Sequence, residues 1–73
     1  MPKLPIVSGQ ELVRLLVGKR GYAIRSRKGS HVILTHASLP PLTVPMHREI
    51  RPGLLLDIIK TVGLGREELA GGR

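Results

Sequence analysis

A chain of 73 residues with a formal net charge of +7, no cysteine and Tyr22 as its single aromatic residue excludes several classes at once. It is too short for a second domain, holds no apolar run near the ~20 residues that span a bilayer, and can build neither a disulfide framework nor a thiolate metal site. The charge points instead to an anionic partner: nucleic acid, a membrane surface or an acidic protein. A domain this small buries only about 60% of the surface of its unfolded chain, so nearly every aliphatic residue has to serve the core. Met1-Pro2-Lys3-Leu4-Pro5 lacks the apolar stretch of a signal peptide, and a cytoplasmic protein without membrane attachment is expected. One domain is expected over residues 1–73, with its core at about 8–69, a short N-terminal arm over 1–7 and a frayed end at Gly71-Gly72-Arg73.

In chain order, Ser8-Gly9-Gln10-Glu11 reads as a capping box opening a helix. Leu12, Leu15 and Leu16 follow at helical spacing, and Gly18 and Gly21 end the pattern, with Lys19 and Arg20 suited to the negative helix end. From Tyr22 the period becomes two. Tyr22 and Ile24 point one way, Arg25 and Arg27 the other with Ala23, up to a turn at Lys28-Gly29-Ser30. His31 to Thr35 is β-branched and apolar enough for a strand buried on both sides. Pro40-Pro41 belongs to a loop, and Leu42-Thr43-Val44 resumes as a strand that Pro45 places at an edge or ends. Pro52 suits the first turn of a second helix, whose stripe is Leu55, Ile58, Ile59 and Val62. Gly63 ends it and Arg66 to Leu69 adds one further turn. Helix, three strands, helix is an α+β order. It predicts a three-stranded antiparallel sheet with both helices on one face, because so short a chain has one core.

The segment Arg25-Ser26-Arg27-Lys28-Gly29-Ser30-His31 sets three cations before a tight turn and a histidine after it. With Lys19 and Arg20, five cations fall within ten residues that contain no acid. Such a cluster tracks phosphates and loses affinity as salt rises; a solvated strand face is the plainer alternative. One aromatic residue gives no stacking platform for single strands, so recognition of backbone and shape, as in modules that read duplex RNA, fits better. Arg25, Arg27, Lys28, Gly29 and Ser30 are thus the candidate RNA contacts. His31 is the candidate catalytic residue, because an imidazole moves protons near neutral pH and RNA cleavage needs such transfers. His36 reads as a surface residue. His47 follows the third strand and becomes an auxiliary group if its strand neighbours that of His31. Only Glu49 accompanies these histidines nearby, so no metal site and no cofactor is expected. Strict alternation sets His31 with Ile33, and it stays open whether that face also carries Arg25 and Arg27.

Taken as an ordered set, Ser8-Gly9-Gln10-Glu11-Leu12, Gly21-Tyr22, Lys28-Gly29-Ser30-His31, Thr43-Val44-Pro45-Met46-His47, Gly53-Leu54-Leu55, Ile58-Ile59-Lys60 and Gly63-Leu64 resemble the HicA (YcfA-like) toxins. The resemblance runs from about Ser8 to Leu69 and departs at Val32, Leu54 and the loop Ala37 to Pro41. It implies a fold similar to the double-stranded-RNA-binding domain, α-β-β-β-α. It also implies an mRNA interferase of a type II toxin–antitoxin system, a HicB-like antitoxin as protein partner, mRNA as target, and His31 as the catalytic histidine. Two other readings stand beside it: a non-catalytic RNA-binding module, and a basic interaction domain that docks an acidic partner.

Overall fold

The structure is a computed structural model and describes residues 6–71. Helix α1 spans Gly9–Arg20, followed by strands β1 (Ala23–Lys28), β2 (His31–Thr35) and β3 (Leu42–Pro45), then helices α2 (Pro52–Val62) and α3 (Arg66–Gly71). The sheet is antiparallel with order β1-β2-β3. The α+β order, the three strands and the extra helical turn after Gly63 are as the sequence predicts, and the fold is double-stranded-RNA-binding-domain-like.

Local chemistry accounts for each element. Ser8 Oγ accepts from the Glu11 N–H at 3.1 Å while Glu11 Oε1 accepts from the Ser8 N–H at 3.0 Å, so two orphan donors of the first helical turn are satisfied. Helix α1 runs through Gly18 and stops at Gly21, whose φ of 73° lies in the left-handed region that glycine tolerates best. Gly9 is needed for a different reason. A Cβ there would clash with the Pro45 carbonyl oxygen, because the end of β3 crosses the start of α1. The Gly9 N–H donates to the His47 carbonyl across that crossing at 2.9 Å.

Val32 and Leu34 of β2 and Val44 of β3 face the helices and pack against Leu12, Leu16, Leu55, Ile58 and Leu69 in one core. The other face of β2 is not buried: His31 is exposed, and Ile33 and Thr35 are half-buried. A strand buried on both sides is therefore corrected to a strand with one covered face, since all three helices bury their stripes on the same side. The expected arm is also shorter than residues 1–7. Val7 is fully buried and its carbonyl accepts from the Ile50 N–H at 2.8 Å, so the chain before α1 is tied to the approach to α2. Residues 1–5 of the expected arm and the last two residues of the expected frayed end lie outside the described residues.

Candidate active site and nucleic-acid interface

The register of the hairpin decides what can act together. Lys28 pairs with His31, and His31 pairs with Pro45 on its other side. Directly opposed residues of a ladder share a face, so Lys28, His31 and Pro45 form a row across the open face. Ser26, Ile33 and Thr43 form the next row. Gly29 closes the hairpin with φ of 58°, in the left-handed region, and the Ser30 carbonyl accepts from the Met46 N–H. The turn is thereby anchored to the residue just before His47.

Arg27 does not belong to that face. It pairs with Val32, whose side chain is fully buried against the helices. A bulge between Ile24 and Ser26 leaves Arg25 without an opposite number and shifts the alternation by one residue. Without the bulge, Ala23, Arg25 and Arg27 would share one side. With it, Ser26 and Lys28 take the side of Ala23, and Ile24 and Arg27 turn toward α1. Arg25, Lys28, Gly29 and Ser30 are all exposed around the turn.

Arg20 leaves the cation cluster altogether. Its Nε donates to the Val62 carbonyl at 2.8 Å, Nη2 donates to the Gly63 carbonyl at 2.8 Å and to Glu68 Oε1 at 2.9 Å, and Nη1 donates to Glu68 Oε2 at 3.2 Å and to the Lys19 carbonyl at 3.0 Å. Every N–H of the guanidinium is engaged. The side chain closes the C-terminus of α2, where carbonyls lack helical partners, and fixes α3 through a bidentate carboxylate pair. The Gly65 N–H, foremost, and Arg20 hold the Glu68 carboxyl below its ordinary pKa.

The three histidines separate cleanly. His36, expected at the surface, is half-buried and structural. Its Nδ1 accepts from the Ser38 and Leu39 N–H groups at 2.9 and 3.0 Å, which leaves Nε2 as the donor to the Arg20 carbonyl at 2.6 Å. Its ring packs against Tyr22 with centroids 4.9 Å apart. Tyr22 Oη donates to the Pro40 carbonyl at 2.8 Å, and burial raises its phenol pKa. The His31 side chain is exposed and, among the described residues, engages in no hydrogen bond or ion pair. His47 is exposed just beyond β3, the strand that pairs with that of His31. Among the described residues no group of three or more His, Cys, Asp or Glu side chains gathers, and no helix is long and apolar enough to cross a membrane.

Sequence reasoning missed the roles of Arg20 and His36. The partners of Arg20 at Val62, Gly63 and Glu68 lie far along the chain, and those of His36 are backbone groups of its own loop and of the end of α1. A family model described as the HicA toxin of bacterial toxin–antitoxin systems matches residues 9–64. Comparison with curated proteins and with solved structures gave no match.

Proposed function

The chain belongs to the HicA toxin family of bacterial toxin–antitoxin systems, and from that premise we propose that it is an endoribonuclease toxin that cleaves mRNA with His31 as general acid/base. The observation that carries this reading is the uncommitted imidazole of His31 in register with Lys28 on the uncovered sheet face. The neutral ring takes the proton of an RNA 2′-hydroxyl. The 2′-oxygen then forms a bond to the adjacent phosphorus, the bond from phosphorus to the 5′-oxygen breaks, and that departing oxygen takes up a proton. Lys28 and Arg25, with the backbone of Gly29 and Ser30, hold the phosphate and offset the charge that develops on its oxygens. His47, just beyond β3, is the proposed second group, as proton donor to the leaving oxygen or as a substrate contact. Arg27 serves the opposite side of the sheet. No cofactor enters this scheme, and the natural inhibitor is the HicB-like antitoxin.

Incubation of the purified protein with a transcribed mRNA at physiological salt tests the function. Discrete cleavage products are expected. Salt-sensitive binding without cleavage over long incubation would favour a non-catalytic RNA-binding module, and no RNA affinity would favour a basic domain built only to dock an acidic protein.

A further inference from the structure

On the side of the sheet away from His31, a groove of about 460 Å³ runs between α1 and β1. Val13, Val17, Ile24 and Met46 supply its apolar lining, and the exposed guanidiniums Arg14 and Arg27 flank it. Ile24 is 55% exposed and Val17 41%, while sixteen large apolar side chains among the described residues are at 9% or less; Ile6 and Leu56 are the other exposed large apolar residues described. Across the bulge at Arg25, Ile24 and Arg27 both lie on the helix-facing side of β1, where Ile24 stays exposed. Adjacent aliphatic exposure of this kind marks an interaction site.

We propose that this groove docks an extended, acidic segment of the antitoxin, with one large apolar side chain seated between Val17 and Ile24 and carboxylates paired to Arg14 and Arg27. The identity of the partner rests on the toxin reading; the surface itself does not. Charge complementarity selects the occupant. The chain carries +7, and among the described residues no salt bridge engages Arg14 or Arg27. A second copy would bring the same two guanidiniums and the same net charge against them. RNA suits it poorly, because an aliphatic lining offers neither base-edge partners nor an aromatic face for stacking. β1 is an edge strand, so its outer row of backbone groups lies beside the groove and can pair with an extended chain. The docked segment would leave Lys28 and His31 uncovered, so inhibition requires a further part of the antitoxin to reach around the β1–β2 turn.

The test is calorimetric titration of the HicB-like antitoxin into the parent, Val17→Glu, Ile24→Glu and Arg14→Glu proteins, with thermal melts and an RNA-cleavage assay on each. Each variant is expected to bind the antitoxin about tenfold or more weakly, to melt within a few degrees of the parent, and to cleave RNA at the parent rate. Unchanged antitoxin affinity in folded variants overturns the proposal. So does a loss of RNA binding matching the loss of antitoxin binding, which would make the groove an RNA surface. A concentration-dependent dimer abolished by Ile24→Glu would assign it to a second copy and overturn the proposal as well. A parent that binds antitoxin through Ile24 yet cleaves no RNA contradicts the nuclease reading alone; a nuclease whose inhibition ignores Ile24 contradicts the docking alone.

Discussion

His31 and His36 bracket the same strand, yet the protein treats them in opposite ways. At the far end of β2, His36 has both ring nitrogens committed to backbone groups and its face against Tyr22. At the near end, His31 stands exposed beside a glycine turn with Lys28 across the ladder. One end is a joint. The Arg20 carbonyl and side chain tie α1 to the loop after β2, to the end of α2 and to α3 through Val62, Gly63 and Glu68. The other end, the proposed tool, is held by the same sheet but leaves its side chains exposed. A small domain can afford an uncommitted basic hairpin because its opposite end concentrates the polar cross-links. On the proposed reading, stability and activity fall to opposite ends of β2.

The largest effect that sharpens this contrast is expected in cells. Expression of the parent arrests growth, whereas His31→Ala, lacking a proton-transfer group worth about 10²–10⁴-fold in rate, permits normal growth at the same soluble level. Growth curves with matched immunoblots check this. Next in size is Arg20→Ala, which strands the carbonyls of Val62 and Gly63 and the carboxylate of Glu68. Loss of several charge-assisted bonds is expected to cost about 2–3 kcal/mol, a drop in Tm of roughly 10 °C or more for a domain of this size, with cleavage per folded molecule unchanged. A variant that melts like the parent would break the joint-and-tool division.

A smaller effect separates the remaining cations. Arg25→Ala and Lys28→Ala should each flatten the slope of log affinity for single-stranded RNA against log salt by about 0.7, measured by fluorescence anisotropy, while Lys60→Ala, on the exposed face of α2, leaves it unchanged. The smallest concerns acid. The Glu68 carboxyl has a lowered pKa in the folded state, so it stabilises the fold above the ordinary carboxylate range and loses that contribution as pH falls through the lowered value. Stability should therefore fall toward acid pH, and less steeply in Glu68→Gln, as read by denaturant titrations over a pH series.

Much of this was legible in the residues. The capping box at Ser8 and Glu11, the stripe of α2 and the glycine turn are local patterns, and local patterns survive folding. The ordered motifs also pointed to the family. Three features were not legible, each for a physical reason. The bulge at Arg25 leaves no mark in composition, yet it breaks the expected grouping of Ala23, Arg25 and Arg27 on one side and sets Ile24 and Arg27 on the same face. Arg20 looked like a phosphate ligand because its partners lie more than forty positions away, at Val62, Gly63 and Glu68. His36 looked superficial because its role depends on backbone groups of its own loop and on the end of α1. Charge runs can be read from sequence, but which of their members are already engaged requires the fold.

The division of labour between the two histidines is tested most directly by cleavage of one labelled mRNA fragment under single-turnover conditions, with His31→Ala and His36→Ala compared at equal folded concentration. The expected result is a loss of about 100-fold or more in rate for His31→Ala with an unchanged Tm, against a parent-like rate and a lowered Tm for His36→Ala. Equal cleavage by His31→Ala and the parent would contradict the account.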